Sequence, residues 1–181
     1  MNLNFFKELT EELHLGVSQK GHPFRYFTVA TVGLDRMARL RTVVLRNVTE
    51  NLMIRFFTDK RSKKITHIKE NPKVSMLFYH PQKLVQLKIE GLASINTEAA
   101  SLKAYWDKIP LHARKDYATT KSPGTTIGTP EDISYVENQD HFCAIDITPF
   151  KIEYLKLKSP NHLRVRFTKK EESWNSEFLV P

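Results

Sequence analysis

Residues 41–46 read RTVVLR, and residues 57–64 read FTDKRSKK. The first is an apolar, β-branched run closed by arginine at both ends. The second ends a strand-like segment on four cations, Lys60, Arg61, Lys63 and Lys64. A strand alternates its side chains between two faces. Arg41, Val43 and Leu45 therefore share one side, and Thr42, Val44 and Arg46 the other. Two arginines so placed cannot grip one point from the middle of a flat strand. They suit different ends of a long, thin ligand, where an edge or bulge exposes both sides. The cationic stretch leads into a short helical pattern over 61–70, with Ile65 and Ile68 on one side. Helix starts carry unpaired N–H groups and partial positive charge. Ser62, Lys63 and Lys64 make an anion site of such a start. Taken alone, the stretch reads first as a solvated basic helix start.

Working outward, the period of two dominates. FRYFTVATVG (24–33), ARLRTVVLRNV (38–48), LMIRFFT (52–58), KVSMLFYH (73–80) and LVQLKIEGLASI (84–95) are rich in β-branched and aromatic residues and are separated by turn signals. Gly91 inside the last of these predicts a bulge or bend. HFCAIDITPFKIEYLKLK, HLRVRFTKK and SWNSEFLV finish the chain as strands. Helical spacing appears at Phe5, Phe6, Leu9, Leu13 and Val17, predicting a helix over 3–18. It appears again after Asn96 or Thr97, either of which suits a helix cap, and over LHARKDY. Residues 119–131 form one long loop-like stretch. Many short strands with few helices predict an antiparallel barrel or sandwich with peripheral helices. With 181 residues the chain fits one domain over 1–181, long enough to bury about two-thirds of its surface on folding.

The formal charge is +8, from 28 Lys+Arg against 20 Asp+Glu, which favours anionic partners. The cations concentrate in the two opening stretches, and no nucleic-acid signature accompanies them, so nucleic acid is not expected as a partner. No apolar run is long enough to span a bilayer, and a cytoplasmic protein is expected. The single cysteine, Cys143, sits in a strand-like run and is expected to be a small core residue. The seven histidines show neither HExxH nor ligand spacing, so no metal is expected. There is no GxGxxG, no phosphate-binding lysine loop and no GxSxG elbow. Trp106 and Trp174 are expected as core or interface aromatics.

Four motifs recur in a fixed order: RTVVLR, FFTDKRSKK, ENPKVSMLFY and LVQLKIEG. This series resembles the pyridoxamine 5'-phosphate oxidase family, whose members read approximately R-x-V-L-L-K, Y-T-N-x-x-S-R-K, N-P-x-x-x-L-x-F and R-Q-V-x-V-x-G. The resemblance is strongest over 36–92. It implies a Greek-key-like split β-barrel and a homodimer with flavin mononucleotide (FMN) at the subunit interface. It implies that Arg41, Thr42, Val43, Val44 and Arg46 lie along the flavin, and that Phe57 and Thr58 lie beside its ring. By the same resemblance Ser62, Lys63 and Lys64 hold the phosphate, Gln86 hydrogen-bonds the ring system, and Arg166 contacts the cofactor. Arg46, Tyr105, His162 and Arg164 become the substrate candidates, for a small molecule that the family takes in phosphorylated form.

The departures fall on the substrate half. Ile109 stands where the family has arginine, Leu155 replaces a tryptophan that covers the flavin, and the family's R-L-H triplet is not intact. The implied activity is oxidation, with hydride passing from substrate to flavin N5 and dioxygen as the acceptor; no side chain is expected as a catalytic base. A flavin reductase with a nicotinamide donor, or an FMN-binding protein without turnover, are the alternatives.

Overall fold

The computed structural model describes residues 3–136 and 140–181. The helix Leu3–Ser18 (α1) opens the chain. Nine strands follow among the described residues: β1 (Tyr26–Val32), β2 (Ala38–Val44), β3 (Asn47–Val48), β4 (Ile54–Asp59), β5 (Lys73–His80), β6 (Val85–Asn96), β7 (Phe142–Lys156), β8 (Leu163–Lys170) and β9 (Ser173–Leu179). The helix α2 (Lys63–Glu70) joins β4 to β5, and α3 (Ala99–Asp107) and α4 (Leu111–Arg114) follow β6. The strands form one antiparallel sheet in the order β2-β1-β5-β6-β7-β4-β3, with β8 and β9 added beyond β7.

The sheet curls because β7 serves two neighbours on the same side. Its first half, through Ile147, pairs with β4, and its second half, from Lys151, pairs with β8. Between them the β6–β7 register shifts: Glu90 faces Lys151 and Gly91 faces Pro149, which leaves Phe150 as the extra residue of a bulge. Gly91 is required there. A Cβ would come within 2.7 Å of Ile147 Cγ2 and 2.8 Å of the Thr148 carbonyl. The resulting half-barrel buries Phe27, Phe56, Phe78, Leu87, Ile89, Ile145 and Ile152 on its inner face. Phe27 and Phe78 stack there at 4.6 Å. The amphipathic α1 lays Leu9 and Leu13 on the same core and sets Phe6 against Phe167 and Trp174.

Two expectations need amendment. The run 38–48 is not one strand. Residues up to Val44 pair with β1, while the Arg46 N–H bonds the Arg55 carbonyl on β4, and β3 follows. RTVVLR is thus the crossing from one half of the sheet to the other, which is why its terminal arginines reach different surroundings. Leu45, fully buried at the crossing, holds it in the core. The cap of α3 is Glu98 rather than Asn96 or Thr97. Asn96 instead accepts the Glu98 N–H, two residues along, just before the helix begins.

The outer face of the sheet has two parts. Tyr26, Leu40, Val44, Leu77 and Tyr79 form an apolar part across β2, β1 and β5, with Leu40 69% and Tyr26 63% exposed. Beyond Gln86, strands β6 to β9 carry a charged lattice: Lys151–Glu90, Arg164–Glu153 and Arg166–Glu177.

A buried polar cluster fixes α1. Glu12, His22 and His80 bring their ligand-type atoms within 4.8 Å of one another. The Phe24 N–H donates to His22 Nδ1, and the Lys83 N–H donates to His80 Nδ1. Each imidazole must therefore carry its proton on Nε2, the atom turned toward Glu12. Lys83 takes the other Glu12 oxygen. A ligating histidine ordinarily donates its other ring N–H, whereas here that nitrogen accepts a backbone N–H, so the arrangement serves as a hydrogen-bonded anchor for Glu12.

Candidate functional site

Strand β4 builds two sites from alternate side chains. Thr58 points inward to a cradle of cations, and Arg55 and Phe57 line a hollow on the other side.

In the cradle, Lys64 Nζ donates to Thr58 Oγ1 at 2.8 Å and to Ser62 Oγ at 3.0 Å. Ser62 caps α2, yet its side chain makes no capping hydrogen bond. Its hydroxyl and the α2 N-terminus are therefore directed at the same space as the ammonium. Arg41, reaching across from β2, donates to Thr31 Oγ1 at 2.7 Å, and Thr31 also meets His67 Nδ1 at 2.9 Å. Burial pushes the Lys64 ammonium below its usual range, and Arg41 pushes it further. Burial likewise lowers Arg41, with Arg39 adding to the effect. Among the described residues neither makes an ion pair. Asp59, the acid beside them, is occupied by Arg61 at 2.7 Å. Two partly desolvated cations held side by side without a carboxylate form an anion receptor. A phosphate fits it: charge, hydroxyl donors and helix dipole all favour a dianion.

The hollow has a volume of about 330 Å³ and is lined by Arg25, Arg46, Arg55, Phe57, Tyr105, Lys108 and Ile109. Phe57 and Tyr105 stack at 5.8 Å, and the Arg46 guanidinium sits 5.4 Å from the Phe57 ring. Arg46 Nε is buried without a hydrogen-bond partner among the described residues. Burial raises the nearby Tyr117 hydroxyl, against the pull of Arg46.

The structure brings Arg41, Thr58, Ser62 and Lys64 together, and Arg46, Phe57 and Tyr105 together. Lys63 is exposed beside the cradle, and Thr42 and Val44 face the outer side of β2 while Val43 packs inward against the core. Gln86 lies on the outer face, opposite Tyr79 and Leu155. Arg164 and Arg166 are held by Glu153 and Glu177 on that face. His162 is exposed, where its Nδ1 accepts the Lys158 N–H. Within one chain, Gln86, His162, Arg164 and Arg166 thus stand apart from the hollow.

Three functional-looking residues escape the motif reading. Arg61 does not join the cradle; it clamps Asp59 and donates to the Thr119 and Thr120 carbonyls, tethering the long loop. Arg55 and Asp146 form a bidentate pair at 2.5 and 2.9 Å. Their signal was visible as one charge inside each of two apolar strands, IRFF and AIDI. Cys143 is buried and its thiol is pushed up to about 11, chiefly by desolvation, in keeping with a core residue.

Residues 4–97, just over half of the chain, match the family model described as pyridoxamine 5'-phosphate oxidase, FMN-binding domain. The chain belongs to this family. Its cofactor is accordingly FMN. Among curated relatives, the pyridoxine/pyridoxamine 5'-phosphate oxidase 2 of Arabidopsis thaliana is 27% identical over 86% of this chain and 87% of that protein. The pyridoxine/pyridoxamine 5'-phosphate oxidase of Thermosynechococcus vestitus is 28% identical over 85% of this chain and 78% of that protein. Among solved structures, a pyridoxamine 5'-phosphate oxidase-related, FMN-binding protein of Nostoc punctiforme superposes with a TM-score of 0.80 at 24% identity, covering 97% of this chain and 96% of that one. PhzG of Burkholderia lata, solved with tetrahydrophenazine-1-carboxylic acid, superposes at 0.78 with 18% identity, covering 99% and 92%. These two likenesses establish the fold, a split barrel, as the resemblance implies. No helix among the described residues is long and apolar enough to cross a membrane.

Proposed function

We propose that the chain is an FMN-dependent oxidoreductase of the pyridoxine/pyridoxamine 5'-phosphate oxidase type, acting as a homodimer on a small, anion-bearing substrate. The observation that carries this reading is the uncompensated pair of cations, Arg41 and Lys64, at the start of α2. In this role Lys64, Ser62 and Arg41 hold the cofactor phosphate, with Lys63 adding long-range attraction from the rim. The crossing at Val44–Arg46 carries the chain from the cradle to the hollow, so one elongated ligand can meet both. Held there, FMN would supply the redox chemistry, hydride acceptance at N5 with dioxygen as the final acceptor. Arg46, Lys108 and Tyr105 orient the substrate by its anionic group. Among the described residues the lining of the hollow is cationic, aromatic and apolar.

The apolar outer patch around Leu40 and Tyr26 supports a dimer, because contiguous exposed apolar surface of this kind is ordinarily covered. Gln86 borders that patch and would lie in or beside such an interface. Sedimentation should show a dimer that FMN stabilises by linkage. A monomer that holds FMN equally well contradicts the shared site.

Hydrogen peroxide released on adding pyridoxine 5'-phosphate to FMN-loaded protein supports oxidase activity. One observation favours a second reading. Ile109, where the family resemblance places arginine, is an apolar, buried wall of the hollow. That change suits a flavin reductase with a different substrate. Bleaching of the flavin by a reduced nicotinamide dinucleotide, without peroxide release from the vitamin, selects it. Flavin binding with neither activity leaves a protein without turnover.

A further inference from the structure

One wall of the hollow is Arg55, which belongs to a buried ion pair that motif reasoning does not explain. Arg55 on β4 is 8% exposed. Its Nε and Nη2 engage both oxygens of Asp146 on β7. Its remaining nitrogen, Nη1, donates to the Tyr105 hydroxyl, and its guanidinium lies 4.3 Å from the Tyr105 ring centroid. Asn96 Nδ2 donates to Asp146 from the other side at 3.4 Å. The pair thus links β4, the end of β6, β7 and α3 at one point.

A buried ion pair adds little net stability, because desolvation offsets most of the attraction. Its geometric effect is definite. A guanidinium has only donors. The Tyr105 oxygen must therefore accept from Arg55, and its own proton is turned away from the arginine. Tyr105 lines the hollow, where Arg25, Arg46 and Lys108 are donors too. Asp146 cancels the charge of Arg55 and leaves theirs.

We infer that Arg55 and Asp146 are positioning residues that preset Tyr105 as a hydrogen-bond donor, which makes the hollow selective for substrates presenting an anionic acceptor. The inference rests on the reading of the hollow as the substrate site. Asp146 is not among the lining residues, and each Arg55 nitrogen is already engaged by Asp146 or Tyr105.

A double-mutant cycle tests this, with 4-deoxypyridoxine 5'-phosphate as the probe. That compound has no oxidisable 4' alcohol, so its binding is measured by calorimetry on FMN-loaded protein without turnover. Tyr105→Phe is expected to weaken binding about tenfold, the loss of one charge-assisted hydrogen bond. Asp146→Asn is expected to do the same, and the double variant to be no worse than Tyr105→Phe alone. A combined Arg55→Met, Asp146→Leu variant replaces the pair by apolar volume and guards against misfolding. It should melt near the wild-type temperature, retain FMN and show the same tenfold loss. Additive effects of Asp146→Asn and Tyr105→Phe overturn the inference, as does an unchanged affinity in the apolar-pair variant or a wild-type protein that does not bind the probe. Loss of turnover with this cycle intact refutes the proposed oxidase activity and leaves the positioning role standing.

Discussion

The Lys64 ammonium lies 2.8 Å from the Thr58 hydroxyl, in a space it shares with Arg41 and with no free carboxylate among the described residues. The protein holds two cations where neither is well solvated, an arrangement stabilised by a bound anion. Lys64→Met should therefore have opposite effects on two measurements. The FMN-free protein should melt higher, because a desolvated charge is gone. FMN affinity should fall about 10- to 100-fold, for the loss of ~1.5–3 kcal/mol in charge-assisted bonds. Differential scanning fluorimetry and a flavin fluorescence titration check the two arms.

The neighbouring Lys63 is exposed. Lys63→Ala should weaken FMN binding by less than about 1 kcal/mol, the usual scale for solvated charge contacts, and the effect should vanish at high salt. The loss in Lys64→Met should persist at high salt. A titration series at two ionic strengths separates the pair.

Stability should fall on the acid side of neutrality. Burial is the main force holding His67 below its ordinary value, with Arg41 next; burial also lowers His80, against the pull of Glu12. Both rings are neutral in the fold. As pH drops below about 6.5, the unfolded chain takes up protons that the folded chain does not, so stability is full above that pH and declines below it. Glu90 and Glu153, held low in the fold despite burial by Lys151 with Lys88 and by Arg164 respectively, add a second decline once pH passes below the ordinary glutamate value. Urea denaturation at pH 8, 6 and 5 should show the first limb, and His67→Gln should flatten it.

Gly91→Ala should cost about 1–3 kcal/mol, since its methyl group would enter the bulge against the Thr148 carbonyl and Ile147. Chemical denaturation measures the loss. The near-ultraviolet signal should stay folded at 25 °C, because the bulge shapes the sheet without forming its core.

What the sequence disclosed, and what it concealed, follows from the range of the interactions. The strands and α1 are legible because alternation and helical spacing are local, and Gly91 announces its bulge for the same reason. The break at Leu45–Arg46 is not, since ARLRTVVLRNV carries no Gly or Pro to mark it and only the pairing partner changes from β1 to β4. The separation of Arg61 from the cradle is also concealed. Its partners, the Thr119 and Thr120 carbonyls, lie almost sixty positions away, and within KRSKK it looks like its neighbours. Arg55 and Asp146 each stand out as a charge within an apolar strand, but their pairing across 91 positions needs the β4–β7 register. The same limit applies to Gln86, Arg164 and Arg166. One chain places them on the outer face, away from the cradle and the hollow.

The central claim is that Arg41 and Lys64 receive the phosphate of FMN. Its most direct test is a titration of cofactor-free protein with FMN beside one with riboflavin, for wild type and for the Arg41→Met, Lys64→Met double variant. The account predicts a flavin absorbance band retained by wild type after gel filtration, much weaker binding of riboflavin, and equal, weak binding of both flavins by the variant. Wild-type protein that stays colourless, or a variant that still prefers FMN over riboflavin, would contradict it.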